Sequence, residues 1–252
     1  GAQTLSLITP SHFVPAIIKA LNAYRPQVPV VYNCGGYERV ETIGLLEGLV
    51  DVYLPDFKHA SSRLSALMAH APDYAEAAIP AIQEMCRQTG PVIFDDLGIM
   101  VRGTLIRHLV LPGCTGDSLK VLDTIKRHFP AGTWVSLMGQ YTPQAGCAIP
   151  GLNRRITPRE YHRVLNHLND LELPGYRQGL SSADAGYTPD QPSRLDQLGW
   201  AGSQNAFLLT TLIHGRPTSV SYWPQPMAAW SQTAGGPLRT DQMQDIVNYI
   251  EN

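Results

Sequence analysis

Cysteine is scarce in this chain: four residues in 252, at Cys34, Cys86, Cys114 and Cys147. They are tens of residues apart, so there is no C-x-x-C pair, no C-x-x-x-C-x-x-C loop and no C-x-x-C-H. That excludes a disulfide framework of the small secreted kind and any locally encoded thiolate loop for a metal centre. It fits a reducing, cytoplasmic setting. An excess of one charge is also lacking. Nineteen basic side chains face 21 acidic ones, for a formal net charge of -2, and the two signs are interleaved. This speaks against nucleic acid or a membrane surface as partner. Long apolar runs are missing too. The longest have the length of a strand, so no transmembrane helix is expected. The start, Gly1-Ala2-Gln3-Thr4, has no basic n-region and no apolar h-region, so it does not read as a signal peptide. It also lacks an initiator Met and runs at once into an apolar strand, as the middle of a domain does.

What is present is a chain with 44% apolar residues, enough for one large domain or a domain plus a small module. Short apolar runs alternate with amphipathic stretches. Strands are expected at roughly 5–9, 29–33, 50–55, 105–111 and 134–139. Helices are expected at 13–24, 40–49, 61–69, 73–88 and 118–128. Residues 92–94 and 100–103 flank Asp95-Asp96-Leu97-Gly98 and read as a small hairpin. Thr157-Pro158-Arg159-Glu160 is a capping box with Pro at the first helical position, opening a helix to about Leu171. Continuous apolar strands joined by helices imply an α/β fold with a parallel sheet covered on both faces. Five strands are too few for a closed eight-stranded barrel, so a partial (β/α) barrel or an open parallel sheet is expected. Near Pro189-Asp190-Gln191-Pro192 the rhythm stops. The boundary is placed at residue 191, with a small all-α segment after it. Its helices are expected at 204–214 and 241–251, the last with Met243, Ile246, Val247 and Ile250 as an apolar stripe.

Ligands of parallel α/β folds bind at the carboxyl ends of the strands. Here those ends read Thr9-Pro10-Ser11-His12, Asn33-Cys34-Gly35-Gly36-Tyr37, Pro55-Asp56-Phe57-Lys58, Pro112-Gly113 and Gly139-Gln140-Tyr141-Thr142-Pro143. Five polar, small-residue ends together point to a polar ligand. Asp56 and Lys58 stand at i and i+2 of an extended segment and so point the same way. They suit a zwitterion, the Asp taking an amine or hydroxyls and the Lys a carboxylate; a surface salt bridge is the plainer alternative. Gly35-Gly36 also reads as a turn, Asn33 as a helix cap, His12 as a loop histidine and His108 as a satisfied core histidine.

The segments 7–15, 31–38, 52–58, 107–113 and 136–143 (Leu7 to Pro15, with Thr9-Pro10-Ser11-His12; Asn33-Cys34-Gly35-Gly36-Tyr37; Leu54-Pro55-Asp56-Phe57-Lys58; Arg107-His108; Gly139-Gln140-Tyr141) resemble the successive strand ends of radical S-adenosylmethionine (SAM) proteins. The branch is that of the pyruvate formate-lyase activating enzymes. Leu152-Asn153-Arg154-Arg155 and Ser181-Ser182-Ala183 continue the match in order, over about residues 1–190. The resemblance implies that SAM binds at Thr9, Ser11, His12, Asn33, Asp56, Lys58 and Gln140. It also implies a 4Fe–4S cluster in the intact parent, and as partner a glycyl-radical enzyme or another macromolecular substrate. The family's three-cysteine loop is not in this sequence. The chain is therefore expected to hold no cluster and to be inactive by itself, as a core that begins near the second or third barrel strand.

Residues 194–252 resemble instead the distal half of a class I cytochrome c domain, through Pro226-Met227-Ala228-Ala229-Trp230 and the helix that follows Thr240. That likeness implies Met227 as an axial haem ligand and an electron-carrier role, with an extracytoplasmic setting; an ordinary loop Met is the alternative. Without C-x-x-C-H, haem c is doubtful. A junction of two reading frames near residue 191 accounts for both missing cysteine motifs. A non-catalytic α/β binding module is the third reading.

Overall fold

The computed structural model describes residues 2–143, 149 and 151–178. The expected junction at 191, the helices at 204–214 and 241–251, Cys147, Ser181-Ser182-Ala183 and Met227 lie outside the described residues.

Seven strands form the sheet: β1 (Leu5–Ile8), β2 (Val30–Cys34), β3 (Val52–Pro55), β4 (Ile93–Phe94), β5 (Met100–Leu109), β6 (Trp134–Met138) and β7 (Gly175–Arg177). Helices α1 (Val14–Ala23), α2 (Val40–Gly44), α3 (Ser62–Ala69), α4 (Tyr74–Thr89), α5 (Thr115–His128) and α6 (Pro158–Asp170) lie between them. The spatial order is β1-β2-β3-β5-β6-β7, every neighbouring pair parallel, with β4 antiparallel to β5. Apart from the short β4, each strand pairs with its predecessor in sequence, so the sheet is wound in one direction, as in a (β/α) barrel rather than a doubly wound sheet. This is the expected α/β class with a parallel sheet.

Three expectations need correction. The second arm of the hairpin and the strand expected at 105–111 are one element, β5. Its start pairs with β4, its middle with β3 and its later part with β6, so one strand serves three partners. A sixth parallel strand, β7, was not expected, because Gly175-Tyr176-Arg177 is too short to show a period. The helix expected over 40–49 holds its α form only through Gly44 and continues as turns. Gly44 and Gly48 are poor helix formers.

The side-chain period of two sorts the sheet into faces. Tyr53 of β3 donates from its hydroxyl to Gln88 of α4 at 2.7 Å, and Thr104 of β5 meets Thr89 of α4 at 3.0 Å. These contacts identify the helix-covered face. Tyr32, Ile106, Val110, Val135 and Leu137 join it, fully buried with Ile82, Met85, Val121 and Leu122 of the helices. The alternate residues define the other face: Asn33, Leu54, Asp56, Arg107, Leu109, Ser136 and Met138. Each of these is only partly buried, near the carboxyl ends of the strands. The cover expected over both faces is thus complete on one and partial on the other at this end.

Elsewhere the local chemistry behaves as the sequence dictates. The capping box of α6 forms in full: Thr157 Oγ accepts from the Glu160 backbone, and the Glu160 carboxylate accepts from Thr157 N at 2.9 Å. Glu160 also accepts from Gly113 N and from both Arg154 Nη atoms, each at 2.8 Å. One carboxylate therefore ties the loop after β5 to the start of α6.

Candidate functional site

The sheet register brings the strand ends into one row. Ile8 lies opposite Asn33, Cys34 opposite Pro55, Asp56 opposite Arg107, and Arg107 opposite Ser136. Asp56 therefore projects beside Arg107 on the partly open face. Arg107 Nη2 stands 2.6 Å from Asp56 Oδ1, and Lys58 Nζ donates to Asp56 Oδ2 at 2.6 Å. One carboxylate thus carries two cations. Asp56 is 16% exposed at its side chain, Arg107 25% and Lys58 48%, so the charge grows more accessible outward from the strand. The Arg107 guanidinium meets Asp56 as an ion pair rather than through an aligned hydrogen bond. Its Nε, which is buried, has no protein partner. The Asp56–Lys58–Arg107 group therefore carries one net positive charge, suited to a carboxylate.

The other strand ends hold their places by one backbone contact and several side-chain contacts. Thr9 N donates to Asn33 O at 2.9 Å, and Thr9 sits at φ 51°. A β-branched residue in the left-handed region costs on the order of 1–3 kcal/mol and marks a site held by its surroundings. Ser11 Oγ donates to Glu38 Oε1 at 2.5 Å, joining the β1 end to the β2 end, and burial pushes the Glu38 carboxyl up. His12 packs against Phe13, ring centroids 4.1 Å apart. Gln140 Oε1 accepts from Gln178 Nε2 at 2.7 Å, two strands away from Asp56, and Gln178 Oε1 is buried without a protein partner. Among the expected residues, Asp56 with Lys58 and Thr9 with Asn33 come into direct contact. Ser11 is tied to Glu38, and Gln140 to Gln178.

Below the Asp56–Lys58 segment the helix-facing side is anchored by Phe57, by His59 with Asp117, and by His108, which is the expected core histidine, bonded at one of its two ring nitrogens. Phe57 is fully buried against Tyr74 and Phe129. His108 Nδ1 lies 2.9 Å from Phe57 O, so Nδ1 carries the proton and donates to that carbonyl. Burial lowers the His108 pKa to about 4, leaving it neutral, with Nε2 buried and without a protein partner. His59 Nδ1 is 3.3 Å from Asp117 Oδ2, and Ser61 N donates to Asp117 Oδ1 at 2.8 Å. Arg107 was missed as a site residue although a signal existed: an arginine inside the apolar run Leu105-Ile106-Arg107-His108-Leu109-Val110 must find an anion or water. The Asp117 contacts span more than fifty residues of sequence, and no local pattern carries them.

A thiolate-bound cluster does not fit the described residues. Cys34 sits on the helix-covered face, 2% exposed, with burial pushing its thiol up to about 12. Cys86 is buried in α4, its thiol pushed up to about 11 for the same reason. Among the described residues no three His, Cys, Asp or Glu side chains converge as a metal set. What Asp56, Lys58 and Arg107 do present is one carboxylate and two cations at the partly buried carboxyl edge of the sheet.

No family model matches the chain. It is 30% identical over 161 residues to an uncharacterized protein of Methanocaldococcus jannaschii, an alignment covering 62% of this chain and 42% of that protein. The chain thus spans about two-fifths of that relative. Among solved structures, it is similar to a domain of pyruvate-formate lyase-activating enzyme from Bacteroides vulgatus, with TM-score 0.51 and 14% identity. That match covers 71% of this chain and 99% of the other. At this identity the likeness establishes a shared fold, the parallel α/β sheet, and only that. None of these comparisons supports the cytochrome c likeness of residues 194–252. Among the described residues no helix is long and apolar enough to cross a membrane.

Proposed function

We propose that the strand ends of this chain form the SAM-binding part of a radical SAM protein of the activating-enzyme kind. The observation that carries the proposal is the charged group Asp56–Lys58–Arg107 at the carboxyl edge of a sheet wound in one direction. The shared fold with an activating-enzyme domain supports it. Asp56 accepts from the amine or ribose hydroxyls of the ligand. Lys58 and the accessible part of the Arg107 guanidinium hold the carboxylate. Thr9 and Asn33 shape the neighbouring wall. In this family a 4Fe–4S cluster supplies the electron that cleaves SAM. The described cysteines do not hold one, so these residues are assigned binding and orientation alone. The macromolecular substrate, such as a glycyl-radical enzyme, belongs to the whole protein.

The test is a titration of the full chain with S-adenosylhomocysteine, followed by NMR. Weak binding is expected, since cluster contacts to the amino and carboxylate groups are absent. A lost charge-assisted hydrogen bond costs on the order of 1.5–3 kcal/mol, so Asp56→Ala and Lys58→Ala should each weaken binding by about tenfold or more. If neither changes the shift perturbations, or if no strand-end residue responds to the ligand, the assignment is wrong.

A further inference from the structure

Resting on that reading of the site, we infer that Tyr74 is its positioning residue, a buried hydroxyl that sets the Asp56–Lys58 segment against the Gly35–Gly36 loop. Tyr74 opens α4 and is 3% exposed. Its hydroxyl lies 2.9 Å from Gly35 O, 2.8 Å from Asp56 O and 3.0 Å from Lys58 N. A phenol has one proton and can accept as well as donate. It accepts from Lys58 N–H and gives its proton to the pair of carbonyls, which lie within hydrogen-bond reach on two different strand ends. Burial raises the Tyr74 pKa well above the usual range, so the proton stays in place at ordinary pH.

The geometry explains why this oxygen controls the site. Up to Phe57 the segment is held by the sheet: Asp56 N donates to Cys34 O and Phe57 N to Arg107 O, each at 2.9 Å. At Lys58 the ladder ends, and its N–H turns to Tyr74 instead. Asp56 O and Lys58 N, on either side of Phe57, thus converge on one hydroxyl. The chain is pinched at Phe57, and the Asp56 and Lys58 side chains are brought to their 2.6 Å contact. The other loop is fixed by the same atom through Gly35 O. Gly36 lies so close that an added Cβ would stand 3.1 Å from the Tyr74 hydroxyl. The phenol ring is itself braced. Tyr37 stacks near it, centroids 6.0 Å apart at 16°, and is tied by its own hydroxyl to Asp73 at 2.8 Å. A ligand that touches both loops therefore meets a spacing set by Tyr74, which need not touch the ligand itself.

Tyr74→Phe removes the hydroxyl and keeps the ring. The full chain carrying Tyr74→Phe, Lys58→Ala or both is titrated with S-adenosylhomocysteine. Tyr53→Phe serves as control, because its fully buried hydroxyl bonds Gln88 of α4 and reaches neither loop. Tyr74→Phe should weaken binding by about tenfold, the equivalent of one or two lost backbone hydrogen bonds. In the Lys58→Ala background it should add clearly less than tenfold, because part of its effect is the placing of Lys58. Tyr53→Phe should leave affinity unchanged. Equal effects of Tyr74→Phe and Tyr53→Phe, or effects of Tyr74→Phe and Lys58→Ala that multiply in the double variant, would overturn the inference. Hydrogen exchange of the Lys58 amide, measured without ligand, separates this inference from the reading of the site. If wild type binds no S-adenosylhomocysteine, the SAM reading fails. The positioning role then stands if Tyr74→Phe speeds Lys58 exchange and falls if the rate is unchanged.

Discussion

Gly36→Ala tests the closest approach of backbone in the site. Gly36 sits at φ +79°, and a Cβ built there would run into the Asp56 carbonyl oxygen, with its carbon at 3.2 Å. Two costs add. An alanine in the left-handed region loses roughly 1–2 kcal/mol. The overlap is with backbone, so no rotamer change relieves it. The residues on both sides of that carbonyl are pinned by Asp56 N to Cys34 O and Phe57 N to Arg107 O. Forced overpacking of this kind costs typically about 1–3 kcal/mol. The sum is about 2–5 kcal/mol, a large fraction of the roughly 5–15 kcal/mol that holds an ordinary domain together. Gly48→Ala isolates the first term. Gly48 has φ +75° with nothing within 4 Å of the added Cβ, so it should lose only about 1–2 kcal/mol. Urea unfolding followed by circular dichroism measures both. At an m-value of about 2 kcal/mol/M, Gly36→Ala should lower the midpoint by about 1–2.5 M and Gly48→Ala by less than about 1 M. If the two variants lose the same stability, the loops are not in the contact described and the spacing argument for the site fails with it.

Two pH-linked predictions follow from buried and bridged groups. Glu160 is held well below the usual carboxylate range, first by the Arg154 guanidinium and then by the Thr157 and Gly113 backbone N–H groups. A depressed carboxylate stabilises the fold above its unfolded pKa of about 4.3, and that contribution fades as pH falls toward the folded value. Glu160→Ala should therefore cost about 1–2 kcal/mol at pH 7, as a lost cap does, and distinctly less near pH 2–3; equal loss at both pH values in urea unfolding would refute the charge argument. His108 has the same sign in a higher pH window. Its pKa of about 4 lies below the unfolded value, so below about pH 6.5 the unfolded chain takes up a proton that the folded chain refuses. Stability should fall with acidification between pH 6.5 and 4, with this residue contributing up to about 1.4 kcal/mol per pH unit. His108→Asn, which offers an amide donor to Phe57 O, should flatten that slope; an unchanged slope would show that His108 is not the group responsible.

The sequence alone determined the kind of layer and which edge carries its polar strand ends. Apolar runs of strand length joined by amphipathic stretches admit few arrangements, and the parallel sheet is the one found. Polar residues recurring after each strand were readable for the same reason, since in a parallel sheet all carboxyl ends fall on one edge. The pairing of Asp56 with Lys58 was also legible, because i and i+2 on an extended segment share a side. Tertiary structure decided what those residues touch. Arg107 becomes the second partner of Asp56 only through the register that sets β3 beside β5. Tyr74 reaches Gly35, Asp56 and Lys58 only because α4 packs across the strand ends, over sequence separations of 39, 18 and 16 residues. Cys34, a strand-end cysteine by sequence, faces the helix layer, because a period of two sends it opposite to Asn33. Local propensity and pattern reach only a few residues along the chain. Register and helix docking come from burying the whole apolar face at once, and they place the side chains that make the site.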